Sequence, residues 1–162
     1  MSRLNSEPGK GATFKVYLPH VDGPASQPPV RDNPDELPLG TGTVFLVEDE
    51  PIVRSMASQV LREQGYTVLE STNGVEALRV AEERASEELH LLLTDVVMPL
   101  MGGRDLAERL RTQHPETRVL YTSGYTDVAV VHADQGESST DFIQKPFPPV
   151  ALALKVREVL DR

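Results

Sequence analysis

One short segment, residues 89–94 (Leu-His-Leu-Leu-Leu-Thr), restricts the possible folds of this chain more than any other. It carries no acidic or basic side chain other than His90 and is otherwise almost entirely apolar. Such a run predicts a strand that is buried on both faces of a parallel sheet. The next residue is an acid, Asp95. Ligands of open α/β sheets bind outside the carboxyl ends of the strands, so Asp95 is predicted to lie at a ligand site. An isolated aspartate there is more often a turn residue, and the other strand ends must decide.

Strand-like and helix-like segments alternate from Gly42 onward. The predicted strands are residues 43–47, 66–69, 89–94, 119–122 and 142–144. Five helices are predicted. The first begins at Pro51 and ends at Gly65, the second follows Asn73-Gly74, and the third ends near His114-Pro115. The fourth is a short, weak helix over residues 127–133, and the fifth occupies the last part of the chain. Four of these helices have apolar residues at helical spacing. These residues are Ile52, Met56, Val60 and Leu61 in the first helix; Val75, Leu78, Val80 and Ala81, predicted to face inward, in the second; Leu106, Ala107 and Leu110 in the third; and Val150, Leu152, Leu154, Val156, Val159 and Leu160 in the last.

This alternation predicts an α/β fold with a doubly wound parallel sheet. Right-handed crossovers would place helices on both faces of the sheet. Five such units suit the flavodoxin-like strand order 2-1-3-4-5. We therefore predict a five-stranded domain over residues 42–162.

The residues before this domain have a different character. Residues 12–18 alternate apolar and polar side chains and end at Pro19, which predicts a strand, although no partner strand follows it. Six of the 13 prolines lie from Pro19 to Pro38, mixed with Gly, Ser, Asp and Asn. This composition predicts an extended linker over residues 20–41.

Composition excludes several classes of protein. The net charge of −9 makes a nucleic-acid-binding surface improbable. The absence of cysteine excludes disulfides, thiolate metal sites and a cysteine nucleophile. No apolar run reaches the length of a membrane span, and the N-terminus does not resemble a signal peptide. We expect a cytoplasmic domain that makes no membrane contact.

Polar side chains occur at four of the five predicted strand ends. They are Glu48 and Asp49 after the first strand of the domain, Asp95 after the third, Ser123 after the fourth and Lys145 after the fifth. Taken singly, these could be helix N-terminal acids, a turn serine and a solvated lysine. Since the ends of parallel strands share one edge, the set together predicts a functional site.

The residue types at this predicted site favour a metal ion. Clustered carboxylates repel one another unless a cation neutralises them, and ligands that are all oxygen favour Mg²⁺. Such a site suits phosphoryl transfer.

The motifs around these residues resemble those of the receiver domain of two-component response regulators. They are Val47-Glu48-Asp49-Glu50-Pro51, Thr94-Asp95-Val96-Val97-Met98-Pro99, Tyr121-Thr122-Ser123-Gly124 and Lys145-Pro146-Phe147. The resemblance implies that Asp95 accepts a phosphoryl group from a phosphohistidine. It also implies that Glu48, Asp49 and the carbonyl of Val97 join Asp95 in binding Mg²⁺, with Glu48 acting through water or at longer reach.

The same resemblance implies roles for three further residues. Ser123 would bond the phosphoryl group, and spacing favours it over the adjacent Thr122. Lys145 would pair with the phosphoryl group, and the bond from Lys145 to Pro146 is expected to be cis. Phe142 would be the aromatic residue that changes position with Ser123 when the domain switches state.

The N-terminal stretch resembles the C-terminal end of a histidine-kinase ATP-binding domain, through Gly9-Lys10-Gly11 and the strand that ends at Pro19. Residues 1–19 would then be a remnant of that domain, and the chain would be the C-terminal part of a hybrid sensor histidine kinase. Its partner would be a kinase core, in cis or in trans, or a histidine phosphotransfer protein. None of the four histidines lies in a phosphoacceptor-like helix, so we expect no histidine autophosphorylation by this fragment, and we expect no output domain after it.

Two alternatives from other classes are considered. One is a Mg²⁺-dependent phosphatase of the haloacid dehalogenase type, whose nucleophile follows the first strand in a DxDxT pattern that Glu48-Asp49-Glu50 lacks. The other is a receiver that binds partners and never carries phosphate.

Overall fold

The computed structural model describes residues 2–7, 11–16, 39–124 and 141–162. The chain divides into two compact units, Met1–Arg31 and Asp32–Arg162. The predicted helix at residues 127–133 lies outside the described residues.

The first unit contains an antiparallel pair of strands, β1 (Ser2–Glu7) and β2 (Gly11–Val16). Their register runs from Ser2 opposite Val16 to Glu7 opposite Gly11. Strand β2 was predicted from the sequence, and β1, which precedes β2 and pairs with it, was not. Leu4 is the only apolar residue of β1, so β1 has no alternating pattern by which it could be recognised.

The second unit is built on a five-stranded parallel sheet. Its strands are β3 (Thr43–Val47), β4 (Thr67–Ser71), β5 (Leu91–Asp95), β6 (Arg118–Ser123) and β7 (Asp141–Gln144). They lie side by side in the order β4-β3-β5-β6-β7. This is the order 2-1-3-4-5 within the domain, so the predicted flavodoxin-like sheet is confirmed.

Four helices are described in the second unit: α1 (Pro51–Glu63), α2 (Gly74–Glu83), α3 (Gly103–Arg111) and α4 (Pro149–Leu160). Pro51 opens α1 as predicted, and the chain leaves α1 through Gly65, whose φ is +90°. Asn73 caps α2, because its side chain accepts a hydrogen bond from the Glu76 amide at 3.0 Å.

The sheet carries a buried apolar cluster on each face, and β5 contributes to both. Leu91 and Leu93 belong to one cluster and Leu92 to the other. The first cluster includes Leu61 of α1 and Leu152 of α4, and the second includes Ala77 of α2 and Leu106 of α3. The central strand therefore has the burial on both faces that its apolar run predicted.

Some predicted inward positions are wrong. Val75 is 50% exposed, and Ile52 and Leu154 are also exposed. In α2 the buried positions are Gly74, Ala77 and the predicted Ala81, while the predicted Leu78 and Val80 are partly buried and pack against the second cluster. Gly74 and Ala77 were not predicted, because small side chains carry little hydrophobic signal.

Within the described part of the chain, no helix is both long enough and apolar enough to cross a membrane.

Candidate functional site

The side chain of Lys145 joins two carboxylates from different strands. Its Nζ atom lies 2.6 Å from Oδ2 of Asp95 and 2.7 Å from Oε2 of Glu48. The Glu48 side chain is almost completely buried, and those of Asp95 and Lys145 are largely buried. These two short charge-assisted contacts are the least exposed ion pairs among the described residues.

The sheet order brings these three side chains together. Strands β3 and β5 are neighbours with Val47 opposite Thr94, so Glu48 and Asp95 occupy equivalent positions at the carboxyl edge. Lys145 follows β7 directly, and its amide donates to the Ser123 carbonyl at 2.8 Å. The bond between Lys145 and Pro146 is cis, as the resemblance implies.

Asp49 completes a group of three acids. Carboxylate oxygens of Glu48, Asp49 and Asp95 all lie within 4.8 Å of one another, with Asp49 exposed to solvent. When all are ionised, three carboxylates against one ammonium leave two negative charges uncompensated. A donor set of carboxylate oxygens alone, with that residual charge and one open side, fits a hard divalent cation such as Mg²⁺.

The electrostatics of the cluster follow from its burial. Burial raises the pKa of Glu48 above its usual value, and the nearby Lys145 ammonium only partly opposes that rise. Burial also works to lower the pKa of Lys145, but its hydrogen bonds to Asp95 and Glu48 outweigh this and raise it. Lys145 therefore stays charged at neutral pH.

Ser123 ends β6 beside this cluster. Its side chain is fully buried, and its hydroxyl has no hydrogen-bond partner among the described residues; the same holds for the adjacent Thr122. In the register, Thr122 lies opposite Asp95, while Tyr121 lies opposite Phe142. Since side chains alternate along a strand, Ser123 and Phe142 lie on one face of the sheet. Phe142 is half-buried and packs against the apolar cluster of that face.

Val97 lies in the loop after β5. Its amide donates to Oδ1 of Asp95 at 3.3 Å, and its side chain is 58% exposed. The metal-binding role of its carbonyl stays a prediction.

Two further residues shape the site, and neither was predicted from the sequence. Arg54 of α1 donates from one guanidinium nitrogen to the carbonyls of Glu48, at 2.7 Å, and Asp49, at 3.4 Å. Gly103 opens α3 directly against β5, where an added Cβ would lie 2.2 Å from the Asp95 carbonyl oxygen. The Gly102-Gly103 pair was visible in the sequence, but an arginine within the first turns of a helix gives no distinctive signal.

A parallel sheet in this order, with acids and a lysine gathered at its carboxyl edge, defines a class of signalling domain. The chain belongs to the response regulator receiver domain family, whose model matches residues 44–157. The alternative of a haloacid dehalogenase-type phosphatase is therefore wrong, and the lysine-paired aspartate indeed follows the third strand of the domain rather than the first.

Several known proteins are similar to this chain. The sensor kinase CckA of Brucella abortus (strain 2308) is 38% identical over 98% of this chain, which spans 17% of that protein. The response regulator receiver protein CpdR of the same organism is 30% identical over 72% of this chain and 95% of its own length. The crystal structure of the receiver domain from the hybrid histidine kinase CckA is 35% identical and has a TM-score of 0.62, covering 74% of this chain and 99% of that one.

Proposed function

We propose that this chain is a phosphoacceptor in a two-component phosphorelay, with Asp95 as the residue that receives the phosphoryl group. The observation that carries this proposal is the contact of one ammonium, Lys145, with both Asp95 and Glu48, beside the third acid Asp49. Family membership supports the same reading.

The reaction would be a nucleophilic substitution at phosphorus. An oxygen of the Asp95 carboxylate attacks in line, the new O–P bond forms, and the P–N bond of the phosphohistidine donor breaks with departure of the imidazole. Lys145 then pairs with oxygens of the transferred group, and the hydroxyl of Ser123, which has no hydrogen-bond partner among the described residues, donates to one of them.

A divalent cation would assist from the acidic side of the site. Glu48, Asp49, Asp95 and the Val97 carbonyl would hold Mg²⁺, which supplies neutralisation of the charge on the phosphoryl oxygens when it is bound. Glu48 is also engaged by Lys145, so its contribution would be through water or at longer reach.

A change of state would follow from the same groups. Movement of Ser123 toward the phosphoryl group would vacate space on its face of the sheet, and Phe142 would turn inward to fill that space. The placement of both residues on one face supports this coupling.

We further propose that the chain is a segment of a hybrid sensor histidine kinase. Residues 1–19 would be the end of an ATP-binding domain, 20–41 a linker and 42–162 the receiver. The similarity to CckA supports this, because it covers 98% of the chain and so extends to residues before the receiver. The donor or acceptor would be a kinase core or a histidine phosphotransfer protein in the cytoplasm, where ATP supplies the phosphoryl group.

Labelling with acetyl phosphate tests the assignment. We expect one phosphoryl group per chain in the presence of Mg²⁺, seen by intact-mass spectrometry, and none when the cation is chelated. Asp95→Asn should abolish the label without unfolding the domain, since asparagine has nearly the same shape but is a poor nucleophile. Asp105→Asn, at an exposed position of α3, is the matched control and should label normally. A label retained by Asp95→Asn, or an unlabelled wild type, would contradict the proposal and favour a receiver that only binds.

A further inference from the structure

Within the described residues, the loop that carries Glu48 and Asp49 is attached through the Glu48 side chain, which bonds Lys145, and through hydrogen bonds of its backbone amides. It leaves β3 with the Glu48 amide bonded to the Ser71 carbonyl at 3.1 Å, and the Glu50 amide donates to Oε1 of Glu48 at 3.3 Å. Within the described part of the chain, the N-cap residue of α1, Glu50, makes no side-chain capping bond. None of these bonds is accepted by the backbone carbonyl of Glu48 or of Asp49.

Arg54 is the group that bonds both carbonyls. It lies in the first turns of α1, where its own amide donates to the Glu50 carbonyl at 3.0 Å. Its half-buried guanidinium turns back and donates to the carbonyls of Glu48 and Asp49, at 2.7 Å and 3.4 Å. One guanidinium nitrogen thus ties two successive peptide groups to the helix that follows them.

We infer that Arg54 is a positioning residue for the divalent-cation site, which holds the Glu48–Asp49 backbone so that both carboxylates face Asp95. The inference rests on the proposed function for the identity of the ligand. Arg54 touches none of the three carboxylates in the contacts described, so its effect is transmitted through the backbone of the acidic loop. Groups of this kind around metal ligands typically alter metal affinity by about 10–100-fold when removed.

The sign of the effect separates positioning from simple electrostatics. Arg54 is a positive charge near a cation site, and its removal should strengthen Mg²⁺ binding if charge alone matters. If Arg54 fixes the loop, its removal should weaken binding in spite of the lost repulsion. The direction of the change therefore decides between the two.

The test is Mg²⁺ titration of the full chain by isothermal calorimetry, with Arg54→Gln, Arg54→Lys and the control Arg62→Gln. Arg62 lies on the same helix and loses the same charge, but its guanidinium bonds the Glu70 carboxylate and the Val68 carbonyl, away from the acidic loop. We expect Kd for Mg²⁺ to rise about tenfold or more in Arg54→Gln, less in Arg54→Lys, and to stay unchanged or fall in Arg62→Gln. An unchanged or lower Kd in Arg54→Gln would overturn the inference.

A second measurement keeps the inference separate from the proposed function. Hydrogen exchange of the metal-free protein should show lost protection at the hydrogen-bonded amides of Glu48 and Glu50 in Arg54→Gln and not in Arg62→Gln. If the wild type binds no Mg²⁺, the proposed function fails, while unchanged protection in Arg54→Gln would by itself refute the positioning role. Thermal unfolding of each variant identifies any global loss of structure.

Discussion

At the residue scale, the site is governed by an imbalance of charge in a buried place. Lys145 neutralises one of two carboxylates that it contacts, and Asp49 adds a third acid nearby. Glu48 is the most deeply buried of the acids, at 2% exposure. A buried ion pair adds little net stability, but removal of one partner leaves the other charge uncompensated, which is costly.

We predict that Lys145→Gln lowers the free energy of unfolding by about 3 kcal/mol at neutral pH, because Glu48 then remains charged and buried without its ammonium. Urea denaturation measures this change. Arg79→Gln is the control, since Arg79 pairs with Glu83 on the exposed face of α2, where an ion pair contributes about 0–1 kcal/mol.

The destabilisation should depend on pH in a defined direction. Burial raises the pKa of folded Glu48 above its ordinary value of 4.5, and loss of the ammonium raises that pKa further. Glu48 therefore takes up a proton in the folded state before it does so in the unfolded state, and the variant gains stability as pH falls toward that raised pKa. The difference between wild type and Lys145→Gln should shrink from neutral pH to about pH 5. A difference that is constant over this range would show that Glu48 is not the group responsible.

At the scale of elements, the start of α3 is fitted against the end of β5. Gly103 donates from its amide to the Val96 carbonyl at 3.1 Å, and its Cα faces the backbone of Asp95 and the side chain of Thr94. There is no room for a side chain because the nearest atom is a backbone oxygen, which cannot move aside without shifting the strand end. The position of the phosphoacceptor candidate is thus tied to the packing of a helix.

We predict that Gly103→Ala lowers the free energy of unfolding by about 1–3 kcal/mol and slows labelling of Asp95 by acetyl phosphate. The added Cβ would lie 2.2 Å from the Asp95 carbonyl, so the strand end or the helix must shift. Thermal unfolding and the rate of labelling are the measurements. Glu108→Ala, at an exposed position of the same helix, should leave both nearly unchanged; a fully stable, normally labelled Gly103→Ala would refute the tight fit.

At the scale of the whole receiver unit, stability depends on the strand that supplies both faces of the core. Strand β5 lies in the middle of the sheet, and its leucines are essentially inaccessible to solvent. The carboxyl end of this same strand carries Asp95. Among the described strands, the one in which every residue is buried therefore holds the candidate phosphoacceptor at its carboxyl end.

We predict that Leu93→Ala lowers the free energy of unfolding by about 2–5 kcal/mol, because it leaves a cavity between the sheet and helices α1 and α4. Such a loss is large against the 5–15 kcal/mol typical of a domain. Chemical denaturation checks the value. Leu154→Ala removes the same atoms from a 40% exposed position of α4 and should cost much less; equal losses in the two variants would contradict the assignment of Leu93 to the core.

Local patterns in the sequence were sufficient for much of this structure. The apolar run before Asp95 predicted the central strand. The alternation of strand-like and helix-like segments predicted the parallel sheet and its strand order. The polar residues at the strand ends predicted which side chains meet, since strand ends share an edge wherever a sheet is parallel. These features depend on properties that each segment carries by itself, so they can be recognised without coordinates.

The remaining features were decided by contacts between segments distant in the chain. Glu48 and Lys145, 97 positions apart, form an ion pair that no local pattern encodes. Strand β1 exists through its pairing with β2, and α2 buries Gly74, Ala77 and Ala81 while Val75 stays exposed. Arg54 bonds the backbone carbonyls of Glu48 and Asp49, and Gly103 lies against the backbone carbonyl of Asp95. Such roles arise only when the chain is folded, because burial, distance and the direction of a backbone carbonyl are properties of the tertiary structure.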